Sequence, residues 1–501
     1  MLFFFPRACL VFPALQVILP LLLPPLPTSA IPAEFDVTLN SRVPISHPAP
    51  TVPIKKAKVL ILGGGLTGII AARTLHQAGI TDFIIVEART ELGGRMQSVP
   101  FGRSPFPRVQ VEQGPNWIQG TQTPGGNANP IFELAKKHGL KSRFNDWFES
   151  LSTYNASGPA DFLDVFGQSE DDYERLTVLA GTRVDKGLVD TSARTGYSLG
   201  GAKPATPHAR ASEYYQFDWE YAQTPDQSSL IASSWGNNYT YDVTSGGFSD
   251  DNQMSIDQRG FKTIAQTEAT EFLAPSGRQV WLGATVRTVK HSREGVQVVL
   301  ADGRELSADY ALCTFSLGVL QHDDVIFEPK LPDFKQEAIQ SMVMATYTKI
   351  FLQFPHKFWF DTEMAIYADE QRGRYTVWQS LDHSGFLPGS GIIFVTVTGD
   401  FAIRIETLSN AQVQEEVLSV LRAMFPSVLV PEPTDFYFPR WHANPLFRGS
   451  YSNWPPSFAS QHLDNLRANI GRLYFAGEAT SRKYFGASLR FGGLVCIVEV
   501  T

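Results

Sequence analysis

The residues best suited to chemistry in this chain are glycines and charged side chains set at intervals that fit a phosphate-bearing ligand. Gly63, Gly65 and Gly68 form a GxGxxG sequence, Glu87 stands downstream, and Gly93, Gly94 and Arg95 follow it. At this spacing the first glycine permits a tight turn, the second lets the main chain approach a pyrophosphate, and the third allows a helix to pack closely on a strand. The helix that begins there offers free N–H groups to the phosphates. A carboxylate about 20 residues past the last glycine, the place of Glu87, accepts hydrogen bonds from ribose hydroxyls and repels a 2′-phosphate. The guanidinium of Arg95 presents a fixed fork of donors to phosphate oxygens. Far downstream, Lys349 stands alone in the aromatic and aliphatic run YTKIFLQF. A lysine there is either an edge residue whose ammonium snorkels to water or, if buried, a group whose pKa falls so that it can hold a water or accept a proton.

A strand, a helix and a second strand must position the first group. Val59 to Leu62 reads as a short buried parallel strand, and Leu66, Ile69, Ile70, Ala72 and Leu75 give the next segment an apolar helical face. Gly79 ends that helix, and Phe83 to Val86 forms the second strand with Glu87 at its end. Glycines, strands, helix and acid together define a dinucleotide-binding unit. Val109 and Val111 then alternate as in a strand, Gly114 to Gly120 reads as a loop, and Pro130 opens a helix with Ile131, Leu134, Ala135 and His138 on one side. Residues 141–254 resist reading from one sequence and fall to a second domain by position. A turn at Arg259 and Gly260 leads into a helix within 257–273, and residues 280–315 alternate as a β-meander with turns at Glu294 and Gly295 and at Asp302 and Gly303. Thr346 to Phe354 is a strand that puts Tyr347 and Lys349 on one face. Two strands in 375–400, a helix over 409–425, a loop over 448–456 and a strand in 472–481 running into Gly477 and Glu478 complete the reading.

At 501 residues, 43% hydrophobic and 12% aromatic, the chain has core enough for two or more domains. Its net charge of −8 argues against nucleic acid as a partner and mildly favours a cationic substrate. Arg7, the apolar run from Ala8 to Leu23 broken by Pro13 and Pro20, and the small residues Thr28, Ser29 and Ala30 read as a secretory signal with cleavage near Ala30. A proline-rich linker over 31–54 follows. Acceptor triplets for N-glycosylation begin at Asn155 and Asn238, in keeping with export. Signal removal would leave Cys313 and Cys496, so the sequence offers neither a disulfide framework nor a CxxC redox pair or zinc cluster.

The GGR at Gly93, Gly94 and Arg95 resembles the FAD-binding signature of flavin amine oxidases and other glutathione-reductase-type flavoproteins more than any NAD dehydrogenase. VQVEQGPNWIQG (109–120) resembles the strand and loop that pass the flavin ring, and DQRGFKTIAQ (257–266) the segment that returns to the FAD domain. YTKIFLQFPHKFW (347–359) closely resembles the polyamine oxidase segment whose lysine holds a water beside flavin N5. RGSYSNWPP (448–456) and RLYFAGEATS (472–481) are similar to the loop and the second FAD-contacting motif near the end of the family's sequences. The likeness runs from Val59 to Gly486 and is strongest to secreted polyamine oxidases.

The resemblance implies an α/β and α+β fold, a glutathione-reductase-type FAD-binding Rossmann domain plus a mixed-sheet substrate domain with helices. It assigns 55–130, 255–325 and 440–501 to the FAD domain, and 131–254 and 326–439 to the substrate domain. FAD would be non-covalent, because GEATSRKY has no cysteine at the position where monoamine oxidases link their flavin. Gly63, Gly65, Gly68, Glu87, Gly94, Arg95, Val286, Gly477 and Glu478 would bind it, the strand ending around Val286 near the adenine. Lys349 would be catalytic, with Trp117, Gln119 and Tyr347 at the substrate. The reaction implied is oxidation of a polyamine such as spermidine or spermine to an aldehyde and an amine, with O2 reduced to hydrogen peroxide. No stable membrane partner is expected once the signal is removed.

Three departures stand against the pattern. Gln119 replaces a glutamate that would meet a distal ammonium, and Pro115 stands where alanine is commoner. Beyond Tyr484, Phe485 and Gly486 the chain reads ASLRFGGLVCIVEVT, unsuited to the long helix the family places beneath the flavin. A truncated, alternatively spliced or misread transcript would produce that change, and the chain as written is expected to bind FAD weakly and turn over poorly. A catalytically impaired FAD-binding secreted protein, or another flavin amine or amino-acid oxidase, is the alternative.

Overall fold

The strand Lys55–Leu62 is apolar on both faces from Val59 onward, which suits only the middle of a sheet covered on both sides. In the computed structural model it lies there, pairing in parallel with Phe83–Val86 on one side and Glu305–Cys313 on the other. The described residues run from 55 to 481, apart from 107, 125, 235–247, 250 and 275–276. The expected signal and linker, the Asn238 triplet, Cys496 and the run after Gly486 lie outside them.

The central sheet has eight strands in the order Val280–Trp281, Phe83–Val86, Lys55–Leu62, Glu305–Cys313, Val296–Leu300, Val286–His291 and Ile326–Glu328, with Leu473–Phe475 added beside the end of Glu305–Cys313. Residues 305–308 pair antiparallel with Val296–Val299, while Ala311–Cys313 pair in parallel with Leu473–Phe475. The long strand thereby joins the predicted meander to the nucleotide unit. Val286 opens the strand Val286–His291 instead of ending the one before it, because the chain turns at Gly283, which has φ +63°. The helix Leu66–Gln77 buries Ile69, Ile70 and Ala72 against this sheet, and Gly79 at φ +79° follows its end.

A second sheet of seven strands runs Asp435–Tyr437, Tyr347–Gln353, Ile392–Thr398, Val377–Ser380, Met364–Ala368, Leu151–Asn155 and Gly158–Pro159. Every residue of Tyr347–Gln353 and Ile392–Thr398 is buried, so both faces of this sheet are covered too. Ile350, Leu352, Val395 and Val397 face a core shared with Val413, Val417 and Leu421 of the helix Asn410–Met424. Tyr347 and Phe351 share the opposite core with Trp117, Trp147 and Trp219. Alternation puts Lys349 on that second face.

Several elements carry little signal in the sequence. The helix Leu163–Asp185 spans 23 residues yet buries only Phe166, Ser169, Leu176 and Ala180, and it contains Gly167 and Gly181. Neither glycine has a neighbour within 4 Å where a Cβ would stand, so both lower the helical signal without a packing reason. Met364–Ala368, Asp333–Gln340 and Gly399–Glu406 were likewise unforeseen. The loop expected over Gly114 to Gly120 contains the strand Trp117–Gln119, which pairs with Asn252–Ser255. Among the described residues, no helix is long and apolar enough to cross a membrane.

Candidate active site

The carboxyl ends of the strands Lys55–Leu62 and Phe83–Val86 open into a cavity of about 420 Å³. Gly63 turns the chain there at φ +116°, and a Cβ on it would meet the Thr314 hydroxyl at 2.5 Å. Gly68 plays the third part in the motif: a Cβ there would fall 2.0 Å from the Gly63 carbonyl oxygen, so only glycine lets the helix sit this close. Gly68 does not line the cavity, whereas Gly63 and Gly65 do. The Gly93–Gly94 turn folds onto the same loop, Gly93 N–H donating to Gly64 O at 2.9 Å. Gly94, at φ +60°, would carry a Cβ 3.0 Å from Gly65 Cα, which explains why the second glycine pair accompanies the first. These approaches leave main chain, without side chains, facing the cavity at Gly65 and Gly94.

Glu87 also lines the cavity. Its Oε2 accepts from Gly64 N–H at 2.7 Å and its Oε1 from Arg89 N–H at 2.8 Å. Burial pushes this carboxyl above its ordinary value, against the pull of the Arg89 and Gly64 amides. Glu478 lines the same cavity; it follows Gly477, which has φ +133°, and is not a helix cap. Its Oε1 pairs with Arg95 Nη1 at 3.0 Å and its Oε2 accepts from Ser452 Oγ at 2.7 Å. Arg95 Nη1 also donates to Ser450 O at 2.8 Å, so the guanidinium expected to face phosphates is in part a fastener between the two motifs. Val286 lines the cavity next to Ala284 and Thr285.

These residues fit FAD. A cradle of glycine main chain that a Cβ would fill, a buried carboxyl at the end of the second strand and an arginine in the wall are the donors and acceptors a ribose and pyrophosphate require.

The far end of the cavity is aromatic, with Trp117, Tyr347, Trp441 and Tyr451 in its wall beside Gln113, Gly114 and Pro115. Burial pushes the Tyr347 and Tyr451 phenols up, which keeps both neutral. The Tyr451 hydroxyl donates to Glu220 O at 2.8 Å, and the Gln113 amide oxygen accepts from the Tyr437 hydroxyl at 2.5 Å. Trp117 is fixed from behind by its indole N–H on Asn145 Oδ1 at 2.7 Å, and Trp147 donates to the same oxygen at 2.8 Å. Trp117, Trp147 and Trp219 meet edge to face with ring centres 5.0 to 5.7 Å apart. Such a wall is rigid, and it would attract a cation over its ring faces.

Lys349 is 1% exposed, which disposes of the snorkelling edge lysine. It does not line the cavity. Its Nζ donates to Glu112 O at 3.2 Å, Gly114 O at 2.6 Å and Asn116 Oδ1 at 2.6 Å, and it lies 5.0 Å from the Trp117 ring centre. The ammonium therefore clamps the loop whose residues form the aromatic end. Burial pushes Lys349 down to about 7, with Glu112 acting in the opposite direction. Gln119 stands 1% exposed in its strand, also off the cavity wall, and its carbonyl accepts from Asn129 Nδ2 at 2.9 Å. Tyr347 and Trp117 do reach the wall. Tyr451, Gln113 and Trp441 were not expected there; Tyr451 sits inside the segment 448–456 already singled out, and its aromatic type was the available signal.

A model of the family described as flavin containing amine oxidoreductase matches residues 66–490, and the chain belongs to that family. It is 37% identical over 450 residues to polyamine oxidase 1 of Zea mays, covering 86% of this chain and 87% of that one. It is 35% identical to polyamine oxidase 7 of Oryza sativa subsp. japonica, covering 86% and 91%. The fold is shared with a putrescine oxidase solved with putrescine bound, at a TM-score of 0.68 and 15% identity over 89% of this chain and 99% of that one. The protein is thus a polyamine oxidase-like flavin amine oxidase, and amine, O2 and FAD enter through the family.

Proposed function

We propose that this protein is an exported oxidase of polyamines of the spermidine and spermine type, with FAD held non-covalently. The observation that carries the reading is the single cavity whose one end is glycine main chain and whose other end is a fixed aromatic wall clamped by a buried lysine. Gly63, Gly65, Gly94, Arg95, Val286, Gly477, Glu87 and Glu478 would hold the cofactor. When bound, FAD supplies the two-electron oxidation of the carbon next to the amine nitrogen and hands the electrons to O2 as hydrogen peroxide.

The chain's own residues bind and orient. Trp117, Tyr347 and Tyr451 exclude water and present ring faces to a long, flexible cation. The reacting nitrogen must be neutral, because an ammonium has no lone pair to assist loss of hydride, and an apolar aromatic pocket disfavours the charged form there. Lys349 shapes this end through the loop it holds and is the buried group best placed to hold or move a proton behind it. Support for polyamines comes from the relatives named above and from the aromatic residues in the cavity wall. Export is supported by residues 1–30, and non-covalent flavin by the absence of cysteine from GEATSRKY.

An amine panel tests the reading. Purified protein should release peroxide fastest with spermidine or spermine, and acid or heat should free its flavin without proteolysis. Peroxide from monoamines or amino acids alone, or flavin that stays on the denatured chain, would overturn the corresponding part. Bound flavin with no peroxide from any amine would select the catalytically impaired alternative.

A further inference from the structure

Behind the aromatic wall, the helix Pro207–Glu213 widens into a π-helical turn over Tyr214–Asp218, which leads into the short helix Trp219–Tyr221. A turn of this kind, bonded from i to i+5, is rare and recurs at functional sites. Three contacts of the segment reach the amine end of the cavity. The Trp219 ring stands edge-on to Trp117 with centres 5.7 Å apart. The Glu220 carbonyl accepts from the Tyr451 hydroxyl at 2.8 Å. The hydroxyls of Tyr214 and Thr398 lie 3.0 Å apart, and Thr398 is the cross-strand partner of Tyr347. Trp117, Tyr347 and Tyr451 are the wall itself.

A set of charges keeps the turn wide. Glu213 and Asp218 stand at its two ends, and both are buried. On an α-helix of about 3.6 residues per turn, residues so spaced point well away from each other, whereas a π turn brings them to one side. One guanidinium takes both. Arg372 donates to Asp218 through Nε at 3.0 Å and Nη2 at 2.6 Å, and its Nη1 lies 2.8 Å from Glu213 Oε1. Arg194 completes the set on Glu213, with Nη1 2.7 Å from Oε2 and Nη2 on Oε1. Arg372 comes from the loop between the strands Met364–Ala368 and Val377–Ser380. Its neighbour Gly373, at φ +78°, lies so close to Tyr214 that a Cβ would stand 2.9 Å from the ring. Loop and turn are fitted to one another. The two guanidinium groups balance the two buried carboxylates, yet such pairs add little net stability, because desolvation offsets attraction; their best-attested use is to favour one arrangement over another.

We propose that Arg372 is a positioning residue for the oxidation: by bridging Glu213 and Asp218 it holds this segment in its π turn, and with it the seating of Trp219 against Trp117 and of Tyr451 on Glu220. Relaxed to an α-helical turn, the same residues would carry Trp219 about a quarter-turn from its place. Trp117 would lose its backing and Tyr451 its acceptor. The inference rests on the amine site proposed above.

The test uses flavin-loaded protein and two readouts. One is the exciton couplet that close-packed indoles give in far-ultraviolet circular dichroism, since Trp219 enters two of the three indole pairs here. The other is the dissociation constant of spermidine, taken from the amine dependence of anaerobic flavin reduction. Arg372→Met combined with Asp218→Asn removes one charge of each sign and leaves Arg194 paired with Glu213. It should keep its flavin, lose much of the couplet and bind spermidine about tenfold more weakly, with the limiting reduction rate falling less. Arg372→Lys keeps a cation without the fork that spans both carboxylates. It should move both readouts in the same direction, and it decides alone if the paired variant fails to fold. Arg374→Met is the control in the same loop: its side chain bonds to Asp369 and Ser419, and both readouts should stay at wild type. An unchanged couplet or an unchanged dissociation constant in the folded variants, or an equal response from Arg374→Met, would overturn the proposal. Where the wild-type flavin is reduced normally, those results sink this inference alone; a wild-type flavin that spermidine cannot reduce sinks the amine-site reading and this inference together.

Discussion

At the nucleotide end of the cavity, the contacts that shape the site are made by main chain close together in sequence: Gly63 against Gly68, Gly64 against Gly93, and Gly64 N–H on Glu87, 23 residues away. At the amine end, the hydrogen bonds of Lys349 span 233, 235 and 237 residues. The glycine cradle of the first end depends on the absence of side chains and is written into one short stretch, which the pairing of Arg95 with Glu478 fastens to a distant one. The second depends on side chains that separate strands bring together, and it exists only once the seven-stranded sheet has formed. The difference predicts that damage at the first end removes cofactor and fold together, while damage at the second spares both and slows chemistry.

The largest effect expected is at Gly68. Gly68→Val places carbon within 2.0 Å of the Gly63 carbonyl oxygen, and a main-chain atom cannot step aside as a side chain could. The loss should be about 3 kcal/mol or more, seen as little soluble flavin-containing protein. Gly79→Ala is the control: Gly79 also has positive φ but nothing within 4 Å, so it should lose only about 1 to 2 kcal/mol and keep its flavin. Equal damage from the two would break the claim that close main-chain approach is the requirement.

Lys349→Met should slow amine-dependent flavin reduction by about 100-fold or more with flavin content retained. Rapid-mixing absorbance gives the rate, and loss of flavin would show that the two ends are not separable. Glu478→Gln comes next. It keeps a side chain for Ser452 but takes the negative charge from Arg95, so FAD should be held about tenfold more weakly, measured by flavin release on dilution.

The smallest effect concerns acid stability where the helices Leu66–Gln77, Pro130–Lys137 and Thr263–Thr270 meet. Burial raises the Glu268 carboxyl, but Lys137, Arg73 and His138 outweigh it and hold the group down at about 2. Its folded pKa is below its unfolded one, so it adds stability above the ordinary carboxylate range and loses it as pH falls toward 2. Thermal melts of Glu268→Gln should therefore fall less steeply than wild type between about pH 4.5 and 2. Parallel curves would remove Glu268 from the acid response.

The same contrast governs what one sequence discloses. The GxGxxG unit was legible in its strands, its helix and Glu87, because its signals are local and its spacing is fixed by one turn of chain. Lys349 was legible as an oddity of type, a single cation in a strand of aromatics, but its partners were not, since no periodicity links residue 349 to residues 112, 114 and 116. Gln119 was expected at the substrate because it stands where the resembling sequences carry a glutamate; it lies off the wall, buried, with its main-chain carbonyl accepting from Asn129. The helix Leu163–Asp185 escaped notice because its buried stripe is thin and two glycines interrupt it. Arg95 was read as a phosphate ligand; its pairing with Glu478 joins residues 383 apart, which spacing cannot reveal.

The most direct test of the account is anaerobic mixing of the flavin-loaded protein with spermidine, in wild type and in Lys349→Met side by side. The account predicts that the visible flavin band bleaches in wild type, returns with oxygen as peroxide forms, and bleaches far more slowly in the variant at equal flavin content. Fully loaded protein whose flavin band no amine can bleach, or a variant that bleaches at the wild-type rate, would contradict it.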